Sequence, residues 1–188
     1  MNAPRSLCLA AALFYGCIDR PVRDAVQQPT GRAPIDRNAL GEVLVRGKLP
    51  ADLVPVGAVF GNAVELVGYR LEPPAPSAGQ YARVTLYWRC KAALTEPWRI
   101  FVHLDDAGGS GLRINRDHDP AGGRFPADAW APGDLIADPI VYAAQQGPLM
   151  FFVGFFSSGE TRLPLTSPGR GKTDGTNRLL AGILPVAK

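Results

Sequence analysis

The side chains best suited to metal chemistry in this sequence are two histidines and the aspartates near them. His103 and Asp105 stand two residues apart, and residues 117–119 read Asp-His-Asp. Imidazole nitrogens and carboxylate oxygens are zinc ligands, and a zinc-bound water is a hydrolytic nucleophile. A metal-dependent enzyme acting through His103 and His118 is therefore one hypothesis for the chain.

The hairpin that would position these ligands argues against a shared metal ion. A Gly-rich stretch between two short apolar segments predicts a tight turn that places Asp105 opposite Leu112 and His118 opposite Arg99. His103 and His118 are then separated along the ladder by roughly 13 Å, at about 3.3 Å per residue. Zinc ligands bind at about 2 Å. We therefore predict no metal site and structural roles for both histidines.

Other nucleophile and phosphate motifs are incomplete. Residues 169–173, Gly-Arg-Gly-Lys-Thr, lack the preceding Gly of a phosphate-binding loop, because Thr166 stands in its place. Residues 109–111, Gly-Ser-Gly, lack the spacing of a nucleophile elbow. Cys90 shares a face with Trp88 in the strand described below and is expected to be a small buried hydrophobe. We predict no catalytic residue, no cofactor and no enzymatic activity.

The elements that carry these residues are predicted to be short strands. The chain has 188 residues, 46% of them apolar, with 21 Gly and 18 Pro. That Gly and Pro content breaks helices and suits many turns. We predict an all-β antiparallel β-sandwich, immunoglobulin-like or jelly-roll, over residues 58–188. The predicted strands are Val59–Phe60, Val64–Leu71, Tyr81–Cys90, Trp98–Asp105, Leu112–Asp117, Leu135–Tyr142, Leu149–Phe156 and Leu179–Val186.

Two predicted strands differ in how their side chains alternate. In Tyr81–Cys90, every second residue is apolar from Ala82 to Trp88, which predicts one buried and one wet face. In Leu149–Phe156 both faces are apolar. Such a strand is either a central strand that the tether described below covers on its outer side, or part of a contact surface.

The N-terminus has the features of a bacterial export signal. One basic residue precedes a short apolar run, too short to span a membrane as a helix. Residues 14–17, Phe-Tyr-Gly-Cys, resemble a lipobox, which predicts lipidation at Cys17. We expect a signal peptide over residues 1–16 and a Pro-punctuated tether over residues 17–57, with the domain in the cell envelope. The charge of +3 is scattered, so no nucleic-acid partner is expected.

A set of short motifs lies along the predicted domain. They are residues 60–62 (Phe-Gly-Asn), 65–71 (Glu-Leu-Val-Gly-Tyr-Arg-Leu), 83–89 (Arg-Val-Thr-Leu-Tyr-Trp-Arg), 101–105 (Phe-Val-His-Leu-Asp), 119–120 (Asp-Pro), 125–126 (Phe-Pro), 130–134 (Trp-Ala-Pro-Gly-Asp), 153–156 (Val-Gly-Phe-Phe) and 159–165 (Gly-Glu-Thr-Arg-Leu-Pro-Leu). Together they resemble an uncharacterised bacterial extracytoplasmic β-sandwich domain found at the tail of glycosyltransferase-like membrane proteins. The resemblance covers Val59–Val186 and implies a sandwich without known catalytic residues.

Two binding functions remain open beside the enzyme. The first is an accessory subunit docked on an envelope or membrane protein complex, with Phe151 and Phe155 on its contact surface and the membrane reached only through the lipid anchor. The second is a carbohydrate-binding module, because aromatic rings stack on sugars. Its candidate residues are Tyr87, Arg83, Arg89 and Trp130. The alternative for both aromatics is packing, with Tyr87 as a cross-strand partner and Trp130 over the sandwich end.

Overall fold

The computed structural model describes residues 34–157 and 161–187. Nearly all of its regular structure is extended, as the Gly and Pro content predicts. Three single 3-10 turns accompany the strands, at Gly41–Val43, Pro120–Gly123 and Ala127–Ala129. The ten strands are β1 Val54–Phe60, β2 Val64–Glu72, β3 Tyr81–Cys90, β4 Arg99–Asp106, β5 Arg113–Asn115, β6 Leu135–Ala143, β7 Leu149–Phe156, β8 Leu165–Ser167, β9 Lys172–Thr173 and β10 Leu179–Leu184.

The strands form two antiparallel five-stranded sheets. Sheet A has the order β6-β3-β2-β1-β8, and sheet B has the order β5-β4-β7-β10-β9. The predicted all-β antiparallel sandwich is confirmed, and each of the eight predicted strands is present. Two further short strands, β8 and β9, lie between the last two predicted strands, where the sequence predicts none. They pair with β1 and β10 and therefore belong to different sheets.

The core lies between the inner faces of the sheets. On β3 the predicted buried face is confirmed, since Ala82, Val84, Leu86 and Trp88 are all buried. The predicted wet face is wrong in its middle part, because Thr85 and Tyr87 are also buried. At the centre, the ring of Phe155 packs edge-on against the ring of Trp88, with centroids 4.7 Å apart, and against Phe60, at 5.7 Å. Edge-to-face packing is the favoured geometry for aromatic pairs. This contact joins sheet B to sheet A.

The described part of the predicted tether belongs to the domain. Leu40, Val43 and Leu44 are buried in the core cluster, and Leu44 forms a β-bridge with Ile136 at the edge of sheet A. Strand β1 begins within the same segment, and the compact unit spans Ile35–Lys188. The predicted tether boundary at residue 57 is therefore wrong, because these apolar side chains cover the sheet. The predicted signal peptide and Cys17 lie outside the described residues.

Within the described residues, no helix is both long and apolar enough to cross a membrane.

Candidate functional site

A groove of about 340 Å³ lies on the outer face of sheet A. Its floor is formed by Thr85 and Tyr87 of β3, flanked by Ala137 and Pro139 of β6 and by Arg70 of β2, all of which are neighbours by strand register. The small side chains on β6 leave room above the sheet. The lining residues are Glu42, Val43, Val45, Lys48, Pro50, Arg70, Glu72, Arg83, Thr85, Tyr87, Arg124, Ala137 and Pro139.

Segments distant in sequence build the walls of the groove. One wall is the N-terminal segment, which is fastened to sheet A by the Leu44–Ile136 bridge and by the backbone N–H of Val45 donating to Leu135 O at 2.8 Å. This segment covers part of the outer face of β3, so Thr85 and Tyr87 are only 8% and 7% exposed although they lie on that face. The floor is therefore partly shielded from water while the groove remains open above it.

Arg124 also lines the groove and follows a loop in an unusual backbone conformation. Ala121, Gly122 and Gly123 all have positive φ, at 53°, 63° and 82°. A left-handed conformation is uncommon for a residue with a Cβ such as Ala121. The backbone N–H of Ala121 donates to Oδ1 of Asp138 at 2.8 Å. This buried carboxylate fixes the loop that presents Arg124.

The charges lining the groove are not balanced. Arg70 pairs with Asp52 through Nε–Oδ2 at 2.9 Å and with Glu72 through Nη1–Oε1 at 2.9 Å. The hydrogen bond with Asp52 raises the pKa of Arg70 and lowers the pKa of Asp52. Among the described residues no carboxylate forms an ion pair with the other three cations that line the groove, Lys48, Arg83 and Arg124.

Two of the predicted surface residues lie at this groove and a third lies beyond it. Tyr87 lies in the floor and Arg83 is an exposed residue of the lining. Burial raises the pKa of the Tyr87 phenol. Arg89 is on the same face of β3 but does not line the groove; its Nη1 pairs with Oε2 of Glu65 at 3.1 Å.

For the other three residues the predicted surface position is wrong, because all of them are core residues. Trp130 is 2% exposed and its Nε1 donates to Phe125 O at 2.9 Å. Phe151 and Phe155 are fully buried on the inner face of β7. Strand β7 is the central strand of sheet B. Its inner face packs in the core, and its outer face does not. The outer face carries Met150, Phe152 and Phe156, which are half-buried.

Arginine side chains cover the aromatic rings on the outer face of sheet B. The guanidinium carbon of Arg178 lies 4.0 Å from the centroid of Phe152, and that of Arg99 lies 5.1 Å from the centroid of Phe156. Such stacking is favourable, and both guanidinium groups also form ion pairs, Arg178 with Asp105 and Asp174 and Arg99 with Asp119. Ile183 of β10 is 57% exposed and is the register neighbour of Met150. Met150, Phe152, Phe156 and Ile183 thus form an aromatic strip bordered by ion-paired arginines.

The side chains of the two histidines lie on different sides of sheet B. The hairpin register is one residue from the predicted one, with Asp105 opposite Arg113, and His118 forms a bridge with Ile100. His103 lies on the outer side of sheet B, whereas His118 reaches Asp138 on the inner side of β6. No cluster of three or more His, Cys, Asp or Glu side chains able to hold a metal occurs in residues 34–157 and 161–187.

The His118–Asp138 pair links the two sheets at their edge. Nε2 of His118 lies 2.9 Å from Oδ2 of Asp138, and Nδ1 lies 2.7 Å from Arg116 O. Burial disfavours the imidazolium, but the hydrogen bond and charge of Asp138 outweigh it and raise the pKa of His118. His103 is shifted the other way, since burial lowers its pKa despite the nearby Asp117.

Cys90 is buried, as predicted. Its Sγ lies 3.2 Å from Ala92 O, and burial followed by the charge of Asp134 raises the pKa of the thiol. A raised pKa keeps the thiol protonated and weakly nucleophilic near neutral pH.

The described chain is thus an antiparallel β-sandwich with a polar groove on one outer face and an aromatic strip on the other. No protein-family model matches it, and no curated protein is significantly similar to it. Among solved structures it is similar to the crystal structure of the C-terminal domain of Wzt, at 10% identity and a TM-score of 0.47, over 74% of this chain and 90% of that one. The resemblance drawn from the sequence is confirmed only as a β-sandwich.

Proposed function

We propose that this chain is a non-catalytic binding module that takes a carbohydrate in the groove on the outer face of sheet A. The observation that carries the proposal is an open concavity of about 340 Å³ lined by side chains of both charges, a hydroxyl and an aromatic ring. Small-molecule sites have volumes of about 300–1,000 Å³ with a few convergent polar groups. Sugar hydroxyls need both donors and acceptors, which Arg83, Thr85 and Glu42 supply.

The absence of catalysis is part of the same proposal. Of the two carboxylates that line the groove, Glu72 is held in an ion pair with Arg70. A glycosidase needs two carboxyl groups placed across the scissile bond, one of them a general acid. The arrangement of Glu72 favours ligand retention over bond cleavage.

Filling the groove floor tests the site. We expect Ala137→Phe to weaken carbohydrate binding by at least about tenfold, because the new ring occupies the space of the ligand. Glycan-array screening would identify a ligand, and isothermal titration with that glycan would compare the variants. Ala143→Phe is the matched control, since it lies farther along the same face of β6, outside the groove. An array without binding, or equal affinities for both variants, would contradict the proposal.

The aromatic strip of sheet B supports a second role, as an accessory subunit that docks on an envelope protein. Exposed and half-buried apolar side chains on one sheet face, here Met150, Phe152, Phe156 and Ile183, are typical of protein contact surfaces. The envelope location rests on the predicted N-terminal signal. In this role the lipid anchor would hold the domain at the membrane while the groove faces its ligand.

Photo-cross-linking from single positions tests the docking surface. With the cross-linker at Ile183, 57% exposed on the strip, we expect one discrete adduct in cells of the native host. At Tyr81, which is 74% exposed on sheet A, no such adduct is expected. The same products from both positions would show nonspecific capture and refute a role for the strip.

A further inference from the structure

The charges around the groove point to the kind of carbohydrate that it takes. Lys48, Arg83 and Arg124 line the groove without an ion-paired carboxylate among the described residues, whereas Arg70 has two. Against these three cations stands one carboxylate that forms no ion pair within the same residues, that of Glu42. The lining therefore carries an excess positive charge.

The position of Arg124 is fixed by its surroundings. It follows three consecutive residues with positive φ, and the first of them, Ala121, is held by the buried Asp138. Positive φ is easy for the two glycines but unfavourable for Ala121, and such backbone persists where the surrounding structure enforces it, often at ligand sites. The side chain itself is exposed, and its only hydrogen bond within the described residues is a long one, 3.4 Å from Nε to Ala121 O. Its donors are thus open to a ligand.

We infer that the groove binds an acidic saccharide, one that carries a carboxylate or phosphate group, with Arg83 and Arg124 as the residues that bind the anion. The inference rests on the proposed function and narrows its ligand class. A guanidinium presents paired N–H donors that match the two oxygens of a carboxylate or phosphate. Lys48 adds a third positive charge to the lining, while Glu42 and Thr85 remain as partners for hydroxyl groups.

An acidic peptide fits the observations less well. Extended peptides bind sheets by adding to an exposed strand edge, where backbone groups are unpaired. The groove lies over the face of β2, β3 and β6, where β3 is paired with both neighbours. Strand β6 is the edge strand of sheet A, but Leu44 already bridges to Ile136 there, and Pro139 has no N–H to offer an added strand. Ligand binding therefore depends on side chains, which suits a ring bearing hydroxyl groups and one acidic group.

The test compares acidic saccharides with their neutral counterpart. The probes are a short oligouronate, the same oligosaccharide with its carboxyl groups reduced to alcohols, and a sugar phosphate polymer of similar length. Affinities are measured by isothermal titration with the full chain, at low and high salt. The variants are Arg83→Gln, Arg124→Gln and Lys48→Gln. Arg89→Gln is the control, because Arg89 is on the same face of β3 but outside the groove.

We expect at least one acidic probe to bind about tenfold more tightly than the neutral one, since hydrogen bonds to charged groups are stronger. That advantage should decrease at high salt. Arg83→Gln and Arg124→Gln should each weaken binding by about tenfold, Lys48→Gln by less, and Arg89→Gln not at all. The preference between carboxylate and phosphate then identifies the anion.

Three outcomes would overturn the inference. Equal binding of neutral and acidic probes would reject the anion and leave the carbohydrate proposal intact. No binding of any saccharide would reject both. Tighter binding of a glutamate-rich peptide, with the same dependence on Arg83 and Arg124, would show that the groove takes a protein. If Arg124→Gln disturbs folding, the affinity of Arg83→Gln for the acidic probe still tests the inference, because Arg83 is exposed.

Discussion

Replacing Asp138 by alanine is expected to lower the free energy of unfolding by about 3–5 kcal/mol, the range for removing one partner of a buried charge pair. Asp138 has no exposed surface, and its two oxygens accept from His118 Nε2 at 2.9 Å and from the Ala121 N–H at 2.8 Å. Alanine leaves both donors buried without an acceptor. Urea denaturation of both proteins measures the difference.

Asp138→Asn separates the two roles of this carboxylate. The amide oxygen can still accept from Ala121, but the charge that stabilises the His118 imidazolium is lost. The loss for asparagine should therefore be smaller than for alanine. Glu96→Ala is a suitable control, because Glu96 is exposed in a loop. If alanine and asparagine at position 138 had the same effect as alanine at 96, the pair would not join the sheets as the geometry indicates.

The contribution of this pair should also depend on pH. The folded-state pKa of His118 is raised, so the folded chain holds this proton more tightly than the unfolded chain does. The resulting stability is fully present below about pH 6.5, the ordinary histidine pKa, and is lost as the pH rises through the folded value. The difference between wild type and Asp138→Asn should shrink over that range.

His103 makes the comparison with a variant necessary. Its pKa is lowered by burial, so the folded state disfavours its protonation and stability is lost as the pH falls below the ordinary value. Wild type alone would therefore show two opposing trends on either side of about pH 6.5. Subtracting the Asp138→Asn curve removes the part due to His103. A difference that stays constant with pH would contradict the assigned charge of His118.

The sequence could predict this fold because its strands carry local signals. In β3 the alternation from Ala82 to Trp88 indicates both a strand and its buried face. Turn residues separate the strands, so the boundaries of β2, β4, β6 and β7 follow within one residue. Short β8 and β9 lack such signals, because two or three residues cannot show a period.

The groove could not be predicted in the same way, because residues far apart in sequence build it. Alternation places Thr85 and Tyr87 on the wet face of β3, yet the segment carrying Glu42 and Lys48 covers them. A signal did exist for the loop before Arg124, since two consecutive glycines permit positive φ. Only the fold brings Arg124 and Arg83 to the same groove.

Strand β7 shows the limit of periodicity most directly, because both of its faces are apolar. Sequence alone cannot tell which of Phe155 and Phe156 faces the core, and the prediction placed Phe155 on the surface. The structure buries Phe155 completely and leaves Phe156 half-buried beneath Arg99. The face of β7 that becomes buried is the one that packs against sheet A, and this packing joins residues far apart in sequence.

Alanine at these two adjacent positions gives the second large expected effect. Phe155→Ala should lower the free energy of unfolding by about 3–5 kcal/mol, because it opens a cavity among tightly packed rings. Phe155 contacts Trp88 at 4.7 Å, Phe60 at 5.7 Å and Trp130 at 6.3 Å between ring centroids. Urea denaturation measures the loss, and an unchanged slope would show that the denatured state is unaffected.

Phe156→Ala is the matched control, with the same residue type and the same strand. It removes a half-buried ring and its contact with the Arg99 guanidinium, an interaction of about 0.5–1 kcal/mol at an exposed site. We therefore expect Phe155→Ala to be several-fold more destabilising than Phe156→Ala. The reverse order would mean that β7 presents its other face to the core, and since the groove and the strip are defined by the same two sheets, their assignment to outer faces would then fail with it.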